Sequence, residues 1–294
     1  MSSEFSTIAL VGRFDDKRVA DPMTALAHHL AKAGADVIIS ENLGAGFPAR
    51  LVDRDDVGEQ ADLVVAVGGD GTLLYAAELV MTANIPLLGV NRGRLGFLSD
   101  ISPTEMLNSV DEILSGNYTL ESRLVLKSQL RSADGNVTTA LALNDVVLQR
   151  RDTGRMLDVQ TRIGGRYVNT HSGDGLIVST PTGSTAYALS CGGPIIEPIL
   201  DAVVVVPICP HTLSDRPLVV PSTQDIEIVL LPREGTNAAI TVDGRPTCDL
   251  LPDDTLTIGE SEHRVLLVHP PGYDFYDILR SKLHWGRDSR DRGS

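Results

Sequence analysis

Cysteine is scarce in this chain: three in 294 residues, at Cys191, Cys209 and Cys248, odd in number and without a CxxC spacing. That excludes a disulfide framework and a zinc cluster, and it points to a reducing, cytoplasmic setting. Long hydrophobic runs are missing too, none approaching the roughly 18 apolar residues of a membrane span. The opening stretch MSSEFSTIALVGR has no basic region followed by an apolar core, so neither insertion nor export is expected. Basic residues are in deficit, 25 against 39 acidic ones, for a formal charge of −14. Such a surface repels nucleic acid and anionic bilayers, and neither is an expected partner. Several signatures are absent outright. No GxxxxGK[ST] occurs, which rules out a Walker-type phosphate loop. Neither HExxH nor a Ser-His-Asp order appears. GAGFPA at 44–49 matches GxGxxA in form only, because Pro48 interrupts the turn and RLVDRDD follows where an amphipathic helix would start.

Two textures divide what remains. From residue 6 to about 120, short apolar runs (TIALVG, ADVIIS, ADLVVAVGG, IPLLGV) alternate with helix-like segments at 22–32, 73–82 and 102–115. The runs are continuous rather than alternating, as expected of parallel strands covered on both faces. Beyond about residue 121 the pattern changes to strands bounded by turn residues, including RLVLKSQLR, LDVQTRI, AVVVVPIC, DIEIVLL, NAAITV and HRVLLVH. This texture predicts an antiparallel β domain. The expected division is 1–120 for an N-terminal α/β domain and 121–294 for a mainly β C-terminal domain. The joint falls in GNYTLESR, a short helix is expected at 186–190, and the last polar residues form a frayed tail.

Three stretches carry chemistry. In VVAVGGDGTLLY a buried strand runs into three glycines around Asp70 and then into a helical pattern. Open α/β sheets bind ligands at the carboxyl ends of their strands, and main-chain N–H groups at a helix start accept anions. Beside such a phosphate cradle a carboxylate is useful as a base or as a metal ligand. The plain alternative is that Asp70 or Thr72 only caps the helix. The second stretch is Asn144-Asp145 in ALNDVVLQR. An amide and a carboxylate side by side suit neighbouring ribose hydroxyls, whereas a bulge or turn is the plain reading. The third, HSGDGLIVSTPTGSTAYALSCGGP at 171–194, mixes small hydroxyl residues with buried-looking LIV and AYALS. That mixture predicts a close-fitting polar pocket wall rather than a surface loop. Arg150, Arg151, Arg155, Arg162 and Arg166 could neutralise phosphates, although solvated strand faces carry arginine as well. His211 lacks a paired nucleophile and reads as structural or pocket-lining.

Together GGDGT, LNDVVLQR, SGDGLIVSTPTGSTAYALSCGGPI and PHTLSDRPLVV resemble the NAD kinase family, in the same order and spacing across about residues 6–285. The resemblance implies a Rossmann-like parallel-sheet domain followed by a β-sandwich-like domain, with NAD in the cleft between them. ATP would donate its γ-phosphate to the adenosine-ribose 2′-hydroxyl, with Mg²⁺ bound mainly through the nucleotide. It implies Asp70 as the base, with Gly71 against the dinucleotide, Asn144 and Asp145 on adenosine, and Asp174 at the nicotinamide end. Thr182, Thr185, Ala186, Tyr187, Ala188, Leu189 and Ser190 would line the pocket, with Arg155 and Arg245 as further contacts. It also implies a homodimer or homotetramer. The chain has Asp145 where many relatives have Glu, and Ser172 where relatives often have a basic residue. The rival readings are a lipid kinase sharing the glycine-rich loop, and a dinucleotide sensor without turnover.

Overall fold

The computed structural model describes residues 4–41, 47–93, 96–99, 101–151, 156–233 and 237–285. Arg155, the first three residues of the GAGFPA stretch and the tail at 287–294 lie outside the described residues. The first elements in chain order are β1 Thr7–Gly12, α1 Lys17–Ala33, β2 Asp36–Ile39, β3 Arg50–Leu51, α2 Val57–Gln60, β4 Leu63–Gly68, α3 Asp70–Val80, β5 Leu87–Asn91 and α4 Met106–Leu114. There follow β6 Thr119–Arg131, β7 Val137–Ala142, β8 Asp145–Arg150, β9 Leu157–Ile163, β10 Arg166–Gly173, β11 Gly175–Ser179 and α5 Tyr187–Ser190. The last are β12 Ala202–Ile208, β13 Leu218–Pro221, β14 Ile226–Leu230, β15 Ala238–Val242, β16 Arg245–Leu250, β17 Thr255–His269 and α6 Phe275–Leu283.

The chain forms two compact units, Met1–Ser122 with Val265–Ser294, and Arg123–Arg264. The sequence expectation carried the second domain to residue 294. The first unit instead includes the C-terminal segment, because Leu267 and Val268 of β17 pair in parallel with Leu87 and Leu88 of β5. The LLV run of β17 is continuous and apolar, as suits a strand paired in parallel and covered on both faces.

In the first unit the strands run parallel in the order β3-β2-β1-β4-β5. The chain winds outward from β1 to β3 and then returns to the other side of β1 with β4, so a topological switch point lies between β1 and β4. Every residue of β4 and β5 is buried. Helix α1 begins at Lys17, five residues before the expected start at Pro22. Asp16 caps it by accepting the Arg18 N–H (3.0 Å), and Pro22 is carried inside. The cap outweighs the one main-chain bond that proline removes. Gly34 ends the helix at φ 93°, a left-handed conformation that glycine takes without strain.

The second unit contains two antiparallel layers. One holds β10-β9-β14-β17, with β6 pairing β17 and β7; the other is β13-β12-β11-β8-β15-β16. Inward residues of both layers share one core, among them Leu126, Val159, Ile228 and Leu256 from the first and Leu148, Val178, Val205 and Ile240 from the second. This is sandwich packing, with the alternation of Leu157–Ile163 as its sequence trace. Strand β11 breaks the alternation and is buried throughout. Its other face packs Ile177 against Val204, Val206 and Ala188, so segment 180–196 covers the sheet from outside the sandwich.

Candidate functional site

In the first unit, β4 ends at Gly68 and α3 starts at Asp70, with Gly69 as an extended N-cap and no side chain capping the helix. Asp70 is therefore not a cap. Its carboxylate accepts the main-chain N–H groups of Phe97 (Oδ2, 3.0 Å) and Leu98 (Oδ1, 3.2 Å). The glycines are used differently. A Cβ at Gly68 would meet Thr72 Cβ at 2.7 Å, so that position needs glycine for packing, whereas Gly69 and Gly71 face open space. Gly96 is required because a side chain there would strike the Asp70 carboxylate and Ser99 Oγ. Two N–H bonds thus orient Asp70 while leaving it lone pairs for another donor.

A cavity of about 420 Å³ opens beside this loop, lined by Gly12, Arg13, Gly69, Gly71, Tyr75 and Arg92 among others. It sits at the carboxyl ends of β1 and β4, at the switch point. Arg13 and Arg92 bring positive charge to it. They are tethered to Asp15 (3.2 Å) and Asp16 (3.3 Å) at the start of α1. Sequence reading missed both arginines, although Arg13 directly follows a strand ending in glycine, which is a readable signal.

In the second unit Leu143 and Asn144 lie between β7 and β8, and Asp145 opens β8. The Asn144 main chain is held on both sides. Its N–H donates to Asp243 Oδ1 (2.7 Å), and its carbonyl accepts from the Thr180 N–H (2.9 Å) and Ser179 Oγ (3.1 Å). The side chain is left over: Asn144 Oδ1 is buried with no hydrogen-bond partner. A buried amide oxygen without a donor is costly unless a ligand supplies one. Asp145 is 5 % exposed. Burial, and then the charge of Asp243, push its carboxyl from 3.8 up to about 7. Burial also raises Asp243, against the pull of three main-chain N–H groups.

Segment 171–194 is no surface loop. Ser179, Thr180 and Ser184 are fully buried, and each hydroxyl is spent on the main chain. Thr180 Oγ1 donates to the Leu143 carbonyl (2.6 Å) and accepts the Gly183 N–H (3.0 Å). Ser184 Oγ donates to the Pro181 carbonyl (2.6 Å) and accepts the Ile196 N–H (3.0 Å). The expected helix is one turn, Tyr187–Ser190. Within it Tyr187 and Ser190 are exposed and Leu189 is half-buried, as are Thr185 and Ala186 just before it. Ala188 is fully buried in the apolar layer over β11, and Thr182 is buried with its hydroxyl facing Arg123 Nη1 at 3.3 Å. Burial raises the Tyr187 phenol, with smaller contributions from Cys191, Cys209 and Asp174.

Asp174 sits between β10 and β11 and pairs with Arg150 (3.1 Å). Arg151 pairs with Asp249 (2.6 Å), and Arg162 lies 4.0 Å from Glu227. Arg150, Arg151 and Arg162 therefore serve three separate ion pairs. Arg245 opens β16 and is exposed, and the exposed His211 donates its N–H to the Ser172 carbonyl (2.9 Å). Buried His171, paired with Asp215 at 2.7 Å, was not anticipated. Among the described residues no group of three or more His, Cys, Asp or Glu could hold a metal ion. No described helix is long and apolar enough to cross a membrane.

Comparison with known proteins follows these two regions. Residues 8–118 match the family model of the ATP-NAD kinase N-terminal domain, and residues 143–270 match that of the ATP-NAD kinase C-terminal domain. The chain is similar to an NAD kinase of Chromobacterium violaceum, 43% identical over 97% of this chain and 99% of that one. Its fold is similar to a solved structure of yeast NADH kinase complexed with NADH, with TM-score 0.88, 25% identity, and coverage of 97% and 92% of the two chains. It is also similar to an NAD kinase from Archaeoglobus fulgidus in complex with ATP, with TM-score 0.73, 27% identity, and coverage of 94% and 99%.

Proposed function

The chain belongs to the ATP-NAD kinase family, and from that premise we propose how its residues carry out the transfer. The enzyme is a phosphotransferase that uses ATP to phosphorylate NAD to NADP. NADP differs from NAD by a phosphate on the 2′-oxygen of the adenosine ribose, so that hydroxyl is the nucleophile. A ribose hydroxyl is a poor nucleophile until a base accepts its proton. Asp70 fills that role, and the observation that carries it is its geometry. The carboxylate is aimed by the Phe97 and Leu98 N–H groups and leaves lone pairs unused. It opens α3 two residues past β4, between Gly69 and Gly71, which line the 420 Å³ cavity.

That cavity takes the ATP phosphates, with Gly69, Gly71 and the first N–H groups of α3 on one side and Arg13 and Arg92 on the other. Phosphoryl transfer needs positioning and charge neutralisation more than covalent help from the protein. ATP use in this family implies a divalent cation. Mg²⁺ would be carried mainly on the nucleotide, where it would neutralise phosphate charge. Asn144 and Asp145 hold adenosine, and the unpartnered Asn144 Oδ1 supports this by asking for an N–H donor. Asp174 meets the nicotinamide end; Gly71, Thr185, Ala186, Tyr187, Leu189 and Ser190 border the dinucleotide, and Arg155 and Arg245 add contacts.

Incubation with NAD, ATP and Mg²⁺, read out with an NADP-specific dehydrogenase, is expected to give NADP that depends on all three. NAD binding without NADP formation would support the sensor instead. Free Cys191, Cys209 and Cys248 support a cytoplasmic location. A homodimer or homotetramer is proposed from the family alone, with light scattering as its check.

A further inference from the structure

The hairpin between β15 and β16 turns through two residues, Asp243 at φ 48° and Gly244 at φ 76°. A left-handed pair of this kind is what a tight hairpin needs, and Asn satisfies the first position as well as Asp does. The turn therefore does not explain why the residue is a carboxylate. Its contacts do. Three successive main-chain N–H groups converge on it: Leu143 donates to Oδ2 (2.9 Å), and Asn144 (2.7 Å) and Asp145 (3.1 Å) donate to Oδ1. The Asp243 N–H returns a bond to the Asp145 carbonyl (3.0 Å). Only an ionised carboxylate can accept from three donors with both oxygens, since an amide would turn an NH₂ group toward one of them.

We propose that Asp243 is a positioning residue for the dinucleotide: its carboxylate fixes the main chain at 143–145 so that the Asn144 amide and the Asp145 carboxyl meet adenosine. This rests on the assignment of Asn144 and Asp145 to adenosine. The clamp is closed from the opposite side. Thr180 Oγ1 holds the Leu143 carbonyl (2.6 Å), and Gly183 lies so close to Asn144 that a Cβ there would sit 2.7 Å from the Asn144 Cα. With every main-chain polar group of Asn144 committed, its side chain alone stays available, and Oδ1 is left buried without a partner. Asp243 thus prepays the ordering of a segment that NAD would otherwise have to organise as it binds.

Asp243→Asn is the test, because Asn keeps the size and the left-handed turn and removes one acceptor. Steady-state kinetics are expected to show the KM for NAD rising about tenfold, with kcat and the KM for ATP within about twofold of the parent. Asn144→Ala is expected to raise the KM for NAD as well, and the double variant to raise it by less than the product of the two single effects, the remainder reflecting the hold of Asp243 on Asp145. An unchanged KM for NAD in Asp243→Asn, a fall in kcat alone, or an additive double variant overturns the inference. If Asn144→Ala itself leaves the KM for NAD unchanged, the adenosine assignment fails and the inference falls with it. If Asn144→Ala raises that KM and Asp243→Asn does not, only the inference falls. Should Asp243→Asn not accumulate folded, Asp243→Glu replaces it, since the charge is kept but the acceptor is displaced by a methylene. A raised KM for NAD upholds the inference, and a parental one overturns it.

Discussion

Asp70 and Asp243 accept similar hydrogen bonds for opposite ends. In the first unit, two main-chain N–H groups from Phe97 and Leu98 hold the carboxylate of Asp70. The side chain is the thing positioned, and the backbone is the tool. In the second, the carboxylate of Asp243 holds three main-chain N–H groups at 143–145. There the side chain is the tool, and the segment it orders presents other side chains. The contrast follows from what each site must do. A base has to keep lone pairs free and its orientation fixed, so it is well held by a single bond to each oxygen, which leaves acceptor capacity on both. A binding surface spreads over several residues, and ordering their common backbone serves all of them at once.

Asp70→Asn is expected to show the largest effect. It keeps the shape and loses the basicity, so kcat should fall roughly 10²–10⁴-fold, about 3–5 kcal/mol of barrier. NAD affinity should stay close to the parent, while thermal stability should fall by about 1 kcal/mol, because the amide turns an NH₂ group toward the Phe97 or Leu98 N–H. Near-normal turnover would end the assignment of Asp70 as base. Gly96→Ala probes the same side of the contrast without substituting the base. The added methyl would meet Ser99 Oγ at 2.6 Å and the Asp70 Cγ at 2.9 Å, so the carboxylate has to move. A misplacement of this size costs roughly 10–10²-fold in kcat. A parental rate in a folded Gly96→Ala variant would mean that the aim of Asp70 tolerates displacement.

How much of this was legible in the sequence depended on distance along the chain. The parallel strands of the first unit and the strand-loop-helix context of Asp70 were legible, since continuous apolar runs and glycines are local signals. The helix start at Lys17 was not, because Pro22 reads as a first-turn residue while the Asp16 cap sits well before it. In the second unit the Asn144-Asp145 pair stood out by composition. Asp243, nearly a hundred residues later, looked like an ordinary Asp-Gly hairpin turn, and nothing local to VDGRP says that its carboxylate reaches 143–145. The buried hydroxyls of 171–194 were read as pocket lining. Thr180 and Ser184 instead spend their hydroxyls on main-chain groups, and Ala188 packs on β11. From sequence alone, a small polar residue that braces a wall cannot be told from one that faces the ligand.

Asn144→Ala sharpens the other side of the contrast. Removing the amide should raise the KM for NAD by roughly tenfold, within the 1–3 kcal/mol expected for a hydrogen bond to a buried partner. The KM for ATP should move less. A selective rise in the KM for ATP would assign the pair to the wrong substrate.

The smallest expected effect separates binding from stability at Asp145. Its carboxyl is raised from 3.8 to about 7, by burial first and the charge of Asp243 second. Below pH ~4 the folded and unfolded chains both hold the proton, and the native state carries no penalty from this group. As the pH rises through the interval from 3.8 to about 7, the unfolded chain releases its proton while the folded one keeps it. Stability therefore falls across that interval and levels off above it. The full displacement corresponds to about 4 kcal/mol at roughly 1.4 kcal/mol per pKa unit. Asp145→Asn removes the titration but leaves a buried amide in need of partners, which offsets about 1–3 kcal/mol of that. The net expectation at pH 8 is a gain of about 1–3 kcal/mol, which falls as the pH is lowered and becomes a loss of similar size near pH 4. Asp243 is present in both proteins, so its own titration largely cancels from the difference. Urea unfolding of parent and variant across pH 4–8 measures this, alongside a raised KM for NAD in the same variant. A stability difference independent of pH would mean that Asp145 stays ionised in the fold, held by contacts that outweigh its burial.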